Sequence, residues 1–529
     1  MPDPTSVFQS PQSSPAQAVP PEQPHGQPQS QTPQFSAQPS VAESPSFSQA
    51  GATVAMADPS HIQKSPFRFL PFILGGLVVF GIIFFIVSRV IGGLKQNGPS
   101  LSTTPPAGSD TQTGGGVARP GGSQKTITYW GLWEPSAAMT DVLSEFQKQN
   151  NVVVQYQQQS PKDYRERLQD ALKKGQGPDV FRFHATWTPM LRTSLAVLPS
   201  SLMSRQDFEK TFYPVAAKDL ETPDGVVGIP LMYDGLGLYY NKTLFQTAGK
   251  TPPTTWADLE TIAKDLTVRN TTTKKIDRAG IALGTTTNVD NFSDILALLL
   301  FQNNADPANP STQLASDAIK YYTNFYRALK VWDETLPNST YAFATEKSAM
   351  MFAPSWRAFE VKAINPNLDF GIAPVPQLPG TNVAFASYWA EGVSKTSKNT
   401  DLAWKLLVYM SSKDVMQKLH NASAQNTPRL FGEIYSRVDM KDLIASDPYM
   451  GAYIQDAPKA QSWYLSSRTF DNGIDDQTIK YYENVINSVN SGDKTLQEAL
   501  VTADKGVKQV LQLFGVLVSP AGGATSTTP

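Results

Sequence analysis

The chain reads as an α/β protein whose folded part is two lobes, preceded by a disordered tail and one transmembrane helix. Strand and helix patterns alternate from Lys125 onward. The folded part runs to nearly four hundred residues, which at ordinary domain size is two lobes rather than one core. An uncharged apolar run stands ahead of it, between two stretches of low complexity.

The sequence has 529 residues and a formal net charge of −2, so nothing in the balance suggests a nucleic-acid partner. Cysteine is absent. That excludes disulfides, thiolate zinc sites, cysteine nucleophiles and lipid attachment through a cysteine. Of the histidines, only His184 and His420 fall in the folded part, far apart and outside any HExxH-like frame. A histidine zinc site or a Ser-His-Asp triad has little to build on. The sequence therefore predicts no metal site, no cofactor and no catalytic residues.

Residues 1–65 are rich in Pro, Gln and Ser and too poor in large apolar groups to offset their ordering entropy, so they are expected to be disordered. The run FLPFILGGLVVFGIIFFIVS, Phe69–Ser88, spans about 30 Å as a helix, the thickness of a bilayer's hydrocarbon core. Arg68 and Arg89 bracket this uncharged run, and with its flank to Ile91 it reads as a membrane span, 69–91. It is long for a signal-peptide core, and no clear A-x-A site follows. The flanking charges do not choose an orientation. Residues 92–124 form a Gly/Pro/Ser/Thr-rich linker, 125–518 the folded part, and 519–529 a short tail.

Within the folded part, Lys125–Trp130 reads as a strand. Ser136 is expected to cap a helix with Met139, Val142, Leu143 and Phe146 on one stripe. Asn151–Tyr156 is a second strand. Ser160-Pro161 is expected to open a helix facing the core with Tyr164, Leu168, Ala171 and Leu172. Gly175–Gly177 ends it, and Asp179–Phe183 is a third strand. This β-α-β-α-β order opens a doubly wound α/β lobe. Thr255–Asp258 and Thr495–Glu498 have the spacing of capping boxes.

Several segments then occur in a telling order. They are ITYWGLWEPSAAMTDVLSEFQKQNNVVVQY, DYRERLQDALKKGQGPDVF, GVVGIPLMYDGLGLYYNKTLFQTAG, PPTTWADLETIAKDL, EKSAMMFAPSW, LDFGIAPVPQLPG and VSKTSKNTDLAWKLLVYMSS. Together they resemble the family 1 extracellular solute-binding proteins over essentially the whole folded part. Pro354, where the family often has Gly, is a departure near Trp356. The missing lipobox cysteine is another, and here the apolar helix takes the place of a lipid anchor.

The resemblance implies a type II periplasmic-binding-protein fold that captures a small solute in an interlobe cleft and delivers it to the membrane subunits of an ABC importer. By analogy, about 125–235 and 385–430 form one lobe, and about 236–384 and 431–518 the other. It also implies that the N-terminus is inside and the binding domain extracytoplasmic, with the bilayer contacted through Phe69–Ile91.

Loops at the carboxyl ends of strands line the crevice in open α/β sheets. That rule selects Trp133 and Glu134 after the first strand, His184 and Trp187 after the third, and Tyr233 and Asp234 after the GIP element. It adds Trp356 after the AMMF strand, Tyr388, Trp389 and Glu391 in SYWAEG, and Tyr464 in the last segment. Aromatic faces beside acidic groups suit a carbohydrate, with rings packing on the pyranose and carboxylates accepting from hydroxyls. Trp256, Trp404, Asp179 and Asn241 read as structural.

Glu134, Asp234 and Glu391 could in principle supply a glycoside hydrolase pair. A tethered receptor that passes nothing onward is a third reading. Arg182, Arg357 and Arg429 leave a phosphate-bearing ligand open.

Overall fold

A computed structural model describes residues 124–425 and 429–516. The residues predicted as tails, as a transmembrane helix and, up to residue 123, as a linker lie outside them. Among the described residues no helix is long and apolar enough to cross a membrane.

The first sheet begins with β1 (Lys125–Gly131), α1 (Ser136–Asn150), β2 (Val152–Gln158), α2 (Tyr164–Lys173) and β3 (Val180–His184). β1 lies parallel to both β2 and β3, as the β-α-β-α-β pattern predicts. Met139, Val142, Leu143 and Phe146 are buried on α1, and Tyr164, Leu168 and Leu172 on α2.

Two helix starts differ from the sequence reading. Pro135, not Ser136, is the N-cap of α1, and no side chain caps that end. α2 starts at Tyr164, three residues after Pro161, because Asp163 takes a left-handed conformation (φ 52°) that breaks the turn begun at Ser160. Asn151 (φ 49°) likewise ends α1 rather than starting a strand. The two later capping sites hold. Thr255 caps the helix Trp256–Leu266 by accepting from Asp258 N, and Thr495 and Glu498 complete a full capping box. Asn241 caps its following helix through Leu244 N, and Asp179 is bonded by Thr128 and Ser397, so both are structural as expected. Trp256 and Trp404 are core residues, also as expected.

The second sheet is antiparallel: β4 (Gly237–Asn241) lies between β5 (Met350–Ala353) and β6 (Phe370–Ala373). Around it run α3 (Phe292–Gln302), α4 (Arg357–Ile364) and the long C-terminal pair α5 (Ile474–Ser491) and α6 (Leu496–Leu513). β7 (Trp389–Val393) returns to the first sheet, antiparallel to β3, giving the strand order β7-β3-β1-β2.

The segments that link the sheets run side by side. Ile229 bridges Glu391, and Gly235 bridges Ala386. The pair Ala384–Phe385 lies parallel to Ala460–Gln461. Any side chain at Gly235 would strike the Phe385 carbonyl, so glycine is what lets the crossing strands approach.

Candidate ligand-binding site

A cavity of about 640 Å³ opens where the two sheets face each other, within the size range of small-molecule sites. From the first sheet its wall takes Leu132 and Trp133 past the end of β1, Gln158 at the end of β2, His184 at the end of β3 and Trp389 at the start of β7. From the second it takes Pro354–Arg357 past the end of β5, and Asn291 and Asp294 at the start of α3. The crossing segment supplies Tyr233 and Asp234.

The aromatic part of the wall centres on Trp389. Trp133, His184 and Trp187 each present an edge-to-face contact to it, at ring separations of 5.7, 5.2 and 5.1 Å. Such packing fixes the indole's orientation and leaves little rotamer freedom to lose on ligand binding. His184 is held at both nitrogens, with Nδ1 2.7 Å from Thr186 Oγ1 and Nε2 3.2 Å from Ser387 Oγ. Burial lowers its pKa to about 3, so the ring is neutral at physiological pH.

Among the described residues, two acidic groups of the wall, Asp234 and Asp294, form no ion pair. Asp234 accepts from Gly235 N (2.8 Å), Ser355 N (3.1 Å) and Ser355 Oγ (2.9 Å). Burial pushes its carboxyl up to about 7 despite these bonds. Asp294 accepts from Ser467 N, and burial pushes it up to about 6.

The arginines of the wall are matched to carboxylates. Arg429 Nη1 lies 2.7 Å from Glu433, and Arg468 Nη2 lies 2.9 Å from Asp290. Arg357 pairs with Glu360 and approaches Asp290 at 3.8 Å. It also sits 4.4 Å over the ring of Trp356.

Trp133, His184, Tyr233, Asp234, Trp356 and Trp389 thus line one cavity, whereas five residues chosen from the sequence do not. Glu391 belongs to strand β7, not to a loop. It sits two residues along from Trp389 on the same face, about 7 Å further into the sheet, and is fully buried. There it meets Arg182, its register partner on β3, and Glu134 turns inward to the same guanidinium. Tyr388 alternates to the opposite face and donates to Asp219 at 2.9 Å. Trp187 is buried behind Trp389 rather than beside the cavity. Tyr464 packs on Trp463, and the last segment reaches the wall instead through Ser467, Arg468 and Phe470. The polar residues Asn291 and Asp294 lie in a stretch with no motif, and Ser355, inside EKSAMMFAPSW, is passed over for its neighbour Trp356.

A model of bacterial extracellular solute-binding proteins matches residues 141–430, more than half of the chain. The chain belongs to that family. The maltodextrin-binding protein MdxE of Bacillus subtilis is 27% identical over 51% of this solute-binding protein and 65% of its own length. A multiple sugar-binding protein of Streptococcus mutans is 25% identical over 39% of the chain and 52% of its own length. The solute-binding protein thus spans less than two thirds of either relative. Among solved structures, the sugar-binding protein MalE of Xanthomonas citri superposes with a TM-score of 0.61 at 21% identity, covering 74% of this chain and 98% of that one. A cyclo/maltodextrin-binding protein complexed with maltotetraose superposes with a TM-score of 0.60 at 18% identity, over 74% and 99%. At these identities the likeness is one of fold, the two-lobed α/β architecture.

Proposed function

We propose that this solute-binding protein captures a mono- or oligosaccharide in the cavity between its lobes and delivers it to an ABC importer. The single observation that carries the reading is the composition of the wall: the oriented indole of Trp389 beside Trp133, with the acceptors Asp234 and Asp294 in the same cavity. A pyranose offers an apolar face to the first and hydroxyls to the second. Relatives named for maltodextrin and multiple sugars support the same class.

The matched arginines weigh against a phosphorylated ligand. Arg182 is locked by Glu134 and Glu391 away from the cavity, and Arg357 and Arg429 each have a carboxylate partner. An anion would have to displace those partners, whereas an uncharged polyol need not. The hydrolase reading draws no support, since Glu134 and Glu391 share one buried guanidinium and neither lines the cavity. The solute-binding relatives agree with a binding role.

In this reading the lobes comprise about 125–235 with 385–430, and about 236–384 with 431–518. Closure is a hinge motion about the crossing segments, which shifts an open/closed equilibrium by the ligand's differential affinity. The apolar run 69–91 tethers the binding domain outside the cell membrane.

Thermal shift of the purified full-length chain against maltose, maltotetraose, mannobiose, glycerol phosphate and a polyamine tests the ligand class. A neutral saccharide at a hundred times its Kd should add about 2.7 kcal/mol of stability. Stabilisation by the phosphate or the polyamine alone overturns the carbohydrate reading. Deleting 69–91 should move the chain from the membrane to the soluble fraction, and unchanged sedimentation would dispose of the tether.

A further inference from the structure

The segment Ser467–Asn472 is the most strained stretch of the described backbone. Arg468 (φ 63°), Phe470 (φ 52°) and Asn472 (φ 45°) alternate through the left-handed region, which non-glycine residues visit rarely and at a cost. The segment is tied at both ends. On one side Ser467 N donates to Asp294, Asn291 donates to Ser467 Oγ, and Arg468 pairs with Asp290. On the other, Arg165 on α2 donates to the Asp471 carbonyl, and Asn472 donates to Glu166. The Asp471 carboxylate then accepts from Gly473 N, Asp475 N and Asp476 N at the start of α5.

What this anchoring holds up is an apolar ring with no core role. Phe470 is 49% exposed and forms part of the cavity wall. Core packing does not explain a half-exposed phenylalanine kept in a conformation that glycine adopts freely. The wall also has a gradient of depth. His184 and Tyr233 are buried, Trp133 and Trp389 are partly covered, and Trp356 and Phe470 are the exposed rings at the rim.

We propose that Phe470 is a specificity-determining residue, a rim platform for the outer units of an oligosaccharide whose first units occupy the floor around Trp389. The inference rests on the saccharide reading and narrows it, because a single sugar on the floor would leave the rim ring without a role. The strain in Ser467–Asn472 is then the cost of holding that ring over the cavity.

The test uses the full-length chain, with maltose and maltotetraose as probes in titration calorimetry and thermal unfolding as the fold control. F470A is expected to weaken maltotetraose binding about tenfold while leaving maltose within about twofold, and F470W to retain both. F470G, which relieves the left-handed strain, is expected to show the same tenfold loss with a Tm at or above that of the wild type. A residue that merely supported the fold would instead lower Tm and weaken both sugars together. Equal effects on the two sugars, or none, overturn this inference and leave the saccharide reading standing. A wild type that binds neither sugar overturns this inference, and the saccharide reading then stands or falls on the wider ligand panel.

Discussion

Arg182 and Glu391 face each other across β3 and β7, with Nη2 2.6 Å from Oε1, and the same guanidinium reaches Glu134 at 2.7 Å. All three side chains are buried. Burial works against both acids, but the Arg182 charge holds Glu134 below the usual carboxylate range, while Glu391 stays above it. The cluster lies one step beneath the His184–Trp389 row, so it sets the register of the strand that carries the aromatic floor.

Removing the cation therefore leaves two carboxylates buried without compensation. Arg182→Met should destabilise the folded part by about 3–5 kcal/mol. Urea denaturation followed by tryptophan fluorescence measures this. A loss below about 1 kcal/mol would mean the cluster is hydrated.

Trp389 and Trp404 separate a binding indole from a packing one. W404A removes a fully buried ring and should cost about 3–5 kcal/mol of stability, with saccharide affinity unchanged in the fraction that folds. W389A should lower affinity by about a hundredfold at a smaller cost in stability. Calorimetric titration beside thermal unfolding reads both, and the reverse pattern would move the site away from Trp389.

His184 gives a pH signature of known sign. Its folded pKa, about 3, lies below the unfolded value of about 6.5, so the unfolded state binds the extra proton between them. The stability held by the neutral ring is complete above about pH 6.5 and is lost as pH falls toward 3. In H184N that part of the acid loss should vanish. Tm measured from pH 7 to pH 4, wild type against variant, should show the gap changing in the wild type's disfavour as pH drops.

Asp234 has the opposite sign. Its folded pKa of about 7 exceeds the unfolded value of about 3.9, so here the folded state binds the proton more tightly. The wild type should lose stability relative to D234N as pH rises from about 4 to about 7, with no further change above that. The variant keeps an Oδ1 that can accept from Gly235 N and Ser355 N, and replacing the Oδ2 that accepts from Ser355 Oγ adds a constant offset independent of pH. A gap that does not move over this window would show that Asp234 is ionised throughout.

Much of the architecture is legible in the chain. The stripe Met139–Val142–Leu143–Phe146 marks α1, the apolar runs around Ile127, Val152–Val154 and Val180–Phe183 mark the parallel strands, and Thr495–Glu498 marks the start of α6. The rule that ligands meet the carboxyl ends of strands selects Trp133 and His184 for the cavity wall. It fails for Glu391, because SYWAEG does not end in a loop: from Trp389 onward it is strand, paired in register with β3.

The sequence alone determines β1 to β3 and the helices α1, α2 and α6 to within a few residues at their ends, because apolar periodicity and capping are local. It also determines that an aromatic and acidic residue set is available for a ligand. Which members of that set share a cavity is decided only by tertiary structure. Trp389 and Glu391 lie two residues apart on one face, yet the edge of the sheet opens one to the cavity and its interior seals the other against Arg182. Asp294 and Phe470 are likewise brought to the wall by contacts 173 and 306 residues long in sequence, Ser467 to Asp294 and Arg165 to Asp471, which no local pattern encodes.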